Sequence, residues 1–83
     1  MTAYTLNKML REVNRNPGTR QRYMADAESV AADYELSEEE RQAFVHNDVG
    51  ALYRLGAHGL ILRPFTLLRQ MPEPEYLRSI RGE

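Results

Sequence analysis

The chain carries the stretch YTLNKMLREV at residues 4–13, and this stretch decides the class of fold. Its apolar side chains follow the spacing i, i+3, i+4, i+7, in the order Leu6, Met9, Leu10 and Val13. That spacing places all four on one face of a helix, because an α-helix completes a turn in ~3.6 residues. The polar residues between them fall on the opposite face, so the stretch predicts an amphipathic helix that buries one side.

Short helical segments follow, separated by residues that form turns. The pair Pro17-Gly18 ends the first helix, and a second is predicted to begin near Thr19. Ser37-Glu38-Glu39-Glu40 has the sequence of a capping box, in which Ser37 and Glu40 satisfy each other's early amide groups. A third helix is therefore predicted to begin there.

The second half of the chain predicts two more helices and a short closing turn. Asp48 is placed to cap a fourth helix, which Gly56 ends. A fifth helix follows, but Gly59 weakens it and Pro64 removes a backbone donor, so it should kink or begin late. We expect an all-α fold, a small bundle of five to six short helices that forms one domain over residues 1–83. No segment has the alternation of a β-strand.

The predicted core collects the apolar residues that share the inner faces of these helices. They are Leu6, Met9, Leu10, Tyr23, Ala27, Val30, Phe44, Leu52 and Leu55.

Composition narrows the classes of function. The net charge is -1, from 11 Lys and Arg against 12 Asp and Glu, which predicts no binding to nucleic acid and none to an anionic membrane. There is no cysteine, so disulfides, thiolate nucleophiles and cysteine metal sites are excluded. The N-terminal residues show no signal-peptide pattern, and the cytoplasm is the expected location.

The chain does not carry the residues of a self-contained active site. Its two histidines, His46 and His58, lack the i, i+4 spacing of a helical metal pair, and His46 with Asp48 and His58 is a weak candidate for a metal site. The serines have no neighbouring base, and no glycine-rich phosphate loop is present. We therefore predict no catalytic residue, no metal ligand and no cofactor in this chain, and no activity from it alone.

The region after Gly56 favours a protein interface instead. Apolar residues alternate there with Arg63, Arg69, Arg78 and Arg81. These apolar residues are more numerous than a small domain buries by itself, which favours a contact with another protein. We predict that the contact lies mainly on residues 58–68. The candidates for the interface or for a shared substrate pocket are His58, Leu62, Arg63 and Phe65, with Tyr4 at the margin and Phe65 as the anchor. The alternatives are a solvent-facing set of arginines, a histidine at a helix start and a core position for Phe65.

Four segments carry a resemblance to a known family. They are YTLNKM at 4–9, RYMAD at 22–26, YELSEEER at 34–41 and NDVGALYRLGAH at 47–58. In this order and spacing the chain, from about Tyr4 to Leu68, resembles the small α subunit of protocatechuate 4,5-dioxygenase, the LigA family. The stretch Arg63-Pro64-Phe65 departs from those enzymes, so the resemblance does not specify the ring substrate.

The resemblance implies a fold, a partner and a role. Such α subunits are small helical proteins with a LigA-like orthogonal arrangement that pack on a larger catalytic β subunit. That β subunit holds non-haem Fe(II) and opens a catechol-type ring by extradiol, or meta, cleavage with O₂. The α subunit helps to close the substrate site and supplies no iron ligand.

Two other functions stay open at this point. The chain also resembles leader domains of peptide precursors, which recruit a modifying enzyme, although no small-residue core peptide follows Leu77. A stand-alone adaptor for an unrelated partner is the other alternative, and self-association of the isolated chain is open as well.

Overall fold

Seven helices make up the fold in the computed structural model, which describes residues 3–82. They are α1 (Tyr4–Arg15), α2 (Pro17–Ala25), α3 (Ala27–Ala31), α4 (Glu38–Val45), α5 (Val49–Arg54), α6 (Gly59–Leu67) and α7 (Glu73–Arg81). No strand occurs within these described residues. The predicted all-α class is confirmed, but the count of five or six helices was too low.

The extra helix arises because the predicted second helix breaks at Asp26. The backbone of Asp26 is extended, at φ -160° and ψ 91°, which separates α2 from α3. Arg22 spans the break: its guanidinium donates to the Ser29 carbonyl at 2.9 Å and pairs with Asp33 at 2.9 Å. Aspartate is a poor residue for a helix interior, which favours the break at this position, although the Asp26 side chain makes no capping hydrogen bond to α3.

Helix starts follow the predicted capping chemistry. At α4 the Ser37 hydroxyl accepts the Glu40 N–H at 3.1 Å, and the Ser37 N–H donates to the Glu40 carboxylate at 2.8 Å. Asp48 caps α5 by accepting the Ala51 N–H at 3.1 Å. Both caps fix where their helices begin, and both are confirmed.

The core is one apolar cluster in which three aromatic rings pack together. The centroid of Tyr23 lies 5.1 Å from those of Phe44 and Phe65, and Phe44 and Phe65 are 5.8 Å apart. Of the predicted core, seven residues are buried, and Ala27 and Leu55 are partly buried against it. Helix α7 packs mainly on α5, where Gly50 allows close approach, since a Cβ there would lie 2.7 Å from the Ser79 carbonyl oxygen.

Within residues 3–82, none of the helices is long and apolar enough to cross a membrane.

Candidate partner-binding surface

Two of the predicted interface residues lie in the core instead. Phe65 and Leu62 are both 0% exposed, and Phe65 contacts the rings of Tyr23 and Phe44. The anchor role predicted for Phe65 is therefore corrected: in this fold its side chain presents no surface to a partner. Helix α6 turns the side with Leu62 and Phe65 inward, and these two apolar side chains pack there against the other helices.

Arg63 is also committed within the chain. Its guanidinium donates to the Thr66 hydroxyl at 3.0 Å and to the Met71 carbonyl at 3.1 Å, and it lies 5.0 Å from the centre of the Tyr76 ring. These contacts join α6, the turn after it and α7. Arg63 thus holds the C-terminal helix in place rather than standing free for a partner.

His58 is the exposed residue directly before α6. Its Nδ1 accepts the Leu60 N–H at 3.2 Å, so the imidazole is the N-terminal cap of the helix. Its backbone N–H donates to the Asn7 side-chain oxygen at 2.8 Å. The helix-start alternative describes this histidine, and it also explains why α6 begins as late as Gly59.

Two asparagines of α1 tie that helix to the start of α6. The Asn7 amide donates to the Gly56 carbonyl at 3.1 Å, in addition to accepting from His58. Asn14 donates to the Ile61 carbonyl at 3.0 Å. Sequence reasoning missed both residues, because nothing in their local pattern marks a partner some 50 positions away in the chain. The bonds join α1 to the first half of α6 and to the residues just before it.

The outer side of α6 is apolar and exposed. Leu60 is 83% exposed and Leu67 54% exposed, and the exposed Pro64 lies between them. The three follow i, i+4, i+7 spacing, so they form one stripe on the side of α6 that faces away from the core. Tyr4, 69% exposed, lies at the start of the neighbouring α1. The spacing of this stripe was visible in the sequence, but which side of α6 faces outward was not.

The remaining arginines of the C-terminal region divide into two kinds. Arg69 lies over the buried Tyr23, with its guanidinium carbon 4.8 Å from the ring centre. Burial raises the pKa of the Tyr23 phenol, and the charge of Arg69 opposes part of that rise. Arg78 and Arg81 are exposed on α7. Arg69, Arg78 and Arg81 are all exposed and fit the predicted solvent-facing set, although Arg69 also covers the ring of Tyr23.

A groove of about 600 Å³ lies between α4 and α5. It is lined by Glu38, Glu39, Gln42, Ala43, His46, Asp48, Ala51, Arg54 and Leu55. Some of its polar side chains already have hydrogen-bond partners within the chain. Asp48 caps α5, and hydrogen bonds from Arg41 and Gln42 lower the pKa of Glu38. Residues 3–82 contain no group of three or more His, Cys, Asp or Glu placed to hold a metal ion, so the His46, Asp48 and His58 candidate is not assembled.

These features define a class of protein: a small helical module whose described residues assemble no metal site and whose α6 presents an apolar stripe. The model of the LigA family, described as the LigA subunit of the aromatic-ring-opening dioxygenase LigAB, matches residues 6–83. The chain belongs to this family. It has no significant match among curated proteins or among solved structures.

Proposed function

We propose that this chain is the non-catalytic small subunit of an Fe(II)-dependent extradiol dioxygenase. In this proposal it acts as one domain in the cytoplasm, packs on the larger catalytic subunit and helps to close the substrate site. The observation that carries the proposal is the family match over residues 6–83. Iron binding and ring cleavage belong to the larger subunit.

The arrangement of the chain's own histidines and carboxylates favours the proposed non-catalytic role. The two histidines occupy helix ends, with His58 engaged as a cap and His46 on the wall of the α4–α5 groove. A histidine–carboxylate facial triad needs two histidines and a carboxylate around one ion. Residues 3–82 do not bring such a set together.

The exposed stripe of α6 supports the proposed contact. A helix that shows Leu60 and Leu67 to water gains from burial, and an adjoining subunit supplies it. In the proposal this stripe replaces Phe65 as the centre of the interface, with His58 and Tyr4 at its margin.

The proposal is tested by reconstitution. The chain is purified alone and after co-expression with the large dioxygenase subunit from the same source, and each sample is assayed for bound iron and for ring opening of catechols under O₂. We expect iron and activity only with the large subunit present, and a higher rate or a lower KM with both subunits than with the large one alone. Stoichiometric iron with ring opening by this chain alone contradicts the proposal, as does a large subunit that neither binds nor responds to it.

The contact is tested with Leu60→Ser/Leu67→Ser. Both side chains are exposed, so the variant should fold as the parent does, while its affinity for the large subunit should fall by about tenfold or more. Met24→Ser is the control, because Met24 is also an exposed apolar residue, at 53%, but lies on α2 and outside the stripe. An unchanged affinity of the double variant would place the contact elsewhere.

A further inference from the structure

A row of cations runs along the outer side of α1. Lys8, Arg11 and Arg15 are all exposed, and their spacing of three and four residues continues that of Tyr4. All four therefore lie on one stripe, opposite the buried Leu6, Met9 and Val13. We call Lys8, Arg11 and Arg15 the basic stripe.

The basic stripe has no partner among the described residues. None of its three cations forms an ion pair or a side-chain hydrogen bond within residues 3–82. Arg22 and Arg41, by contrast, are engaged: Arg22 pairs with Asp33, and Arg41 pairs with Glu28 at 2.7 Å and Glu38 at 2.6 Å. The stripe differs from these in being both unpaired and aligned.

The nearly neutral net charge hides a strong separation of charge along the chain. The segment 26–48 holds Asp26, Glu28, Asp33, Glu35, Glu38, Glu39, Glu40 and Asp48, but only Arg41 as a cation. Eight of the chain's 12 Asp and Glu residues therefore lie on α3, α4 and the adjoining loops, whereas α1 carries one, Glu12, whose carboxylate accepts from the Asn16 amide at 3.0 Å. Three cations against one carboxylate leave α1 with an excess of positive charge.

The basic stripe adjoins the apolar stripe of α6. Asn7 and Asn14 bind α1 to the start of α6, and the two helices pack against each other. The two exposed stripes thus flank one helix–helix seam, one apolar with Leu60 and Leu67 and the other positive. An apolar strip with charged residues along its edge is the usual composition of a protein interface.

We infer that the two stripes form one docking face and that its partner is an acidic protein surface. The partner presents an apolar strip to Leu60 and Leu67, bordered by carboxylates that meet Lys8, Arg11 and Arg15. This inference rests on the proposed function, in which the partner is the catalytic subunit. Rim charges of this kind act mainly on the rate of association and on its dependence on salt.

The test compares two triple charge reversals in binding to the purified large subunit by surface plasmon resonance. One variant is Lys8→Glu/Arg11→Glu/Arg15→Glu. The control is Arg54→Glu/Arg78→Glu/Arg81→Glu, which makes the same change of charge at exposed arginines without an ion pair in residues 3–82, on the α5 and α7 side. Circular dichroism verifies that both variants remain helical.

We expect the α1 variant to associate about tenfold or more slowly than the parent at low salt, with a flattened salt dependence, and the control to associate within about threefold of the parent. Equal effects of the two variants, or none from the α1 variant, overturn the inference while leaving the proposed function standing. If the parent itself does not bind the large subunit, the proposed function fails first. If the α1 variant instead keeps its binding to the large subunit and loses self-association, the basic stripe belongs to a contact with a second copy of the chain. If it loses binding to a duplex DNA probe instead, the stripe belongs to a nucleic-acid site. Either result would also overturn the inference.

Discussion

Phe65 is the residue at which a core role and an interface role make opposite predictions. Its ring is fully buried between Tyr23 and Phe44. Truncating a buried phenylalanine typically costs about 3–5 kcal/mol, and a small domain has only about 5–15 kcal/mol in total. We expect Phe65→Ala to lose most of the stability of the isolated chain in urea unfolding followed by circular dichroism.

The matched control for this prediction is Leu60→Ala on the same helix. Leu60 is 83% exposed, so its truncation should change the free energy of unfolding by less than about 0.5 kcal/mol. A Phe65→Ala variant that keeps parental stability would mean that Phe65 is not part of the core.

Tyr23 predicts a dependence on alkaline pH. Its hydroxyl is buried, with the guanidinium of Arg69 over the ring as the charged group beside it, and burial raises the pKa of the phenol in the folded state. The unfolded chain therefore loses this proton first as the pH rises above ~10, and the folded state loses stability through that range. Tyr23→Phe should be as stable as the parent at pH 7, within about 1 kcal/mol, and should lose less stability between about pH 9 and 11.

Thermal unfolding across that pH range measures the effect of Tyr23→Phe. Tyr53→Phe serves as the control, because Tyr53 is 45% exposed. A loss of more than about 1.5 kcal/mol at pH 7 in Tyr23→Phe would show that the phenol makes a stabilising hydrogen bond in solution.

At the scale of single helices, α4 depends on its capping box. Both reciprocal hydrogen bonds between Ser37 and Glu40 are present, and Arg41 in the next turn joins the helix to Glu28 on α3. Removing the cap leaves early N–H groups of α4 without a side-chain acceptor. We expect Ser37→Ala to lower the free energy of unfolding by about 1 kcal/mol, measured by urea denaturation.

The neighbouring acid supplies the control for the cap. Glu39→Gln removes a first-turn charge but no side-chain hydrogen bond, so its cost should stay below about 0.5 kcal/mol. A loss in Ser37→Ala no larger than that in Glu39→Gln would mean that the capping hydrogen bonds contribute little to the stability of α4.

Local sequence signals predicted where most helices lie, but not which side of α6 faces the core. The spacing of Leu6, Met9 and Leu10 and the capping box at Ser37 act within a few residues, so the sequence alone reveals them. The side of α6 that turns inward depends on contacts with α1, made through Asn7 and Asn14 across 47 to 51 positions of chain. Such contacts produce no periodic pattern in the sequence. For this reason the sequence predicted Phe65 at the surface and did not identify the exposed stripe of α6.

On the scale of the whole molecule, the proposed docking face involves some helices and leaves others, such as α7, outside it. Helices α1 and α6 pack together and carry the two stripes. Helix α7 packs mainly on α5, held by Arg63 over Tyr76 and by the close approach at Gly50. A partner that binds the folded chain but not the unfolded chain stabilises the fold against global unfolding by mass action. It does not affect local openings that leave the docking face intact.

Hydrogen exchange with mass spectrometry separates these two effects, because peptides of this chain are read independently of those of the large subunit. Core amides of α1, such as those near Met9 and Leu10, exchange through global unfolding if they belong to the most stable part of the fold. With the large subunit free at about 100 times its Kd, we expect their exchange to slow about 100-fold, equivalent to about 2.7 kcal/mol. Amides near the end of α7, at Arg81, should keep their rate, because fraying there does not disturb the docking face. Protection confined to α7, or none in α1 under saturating conditions, would place the large subunit on the other side of the molecule.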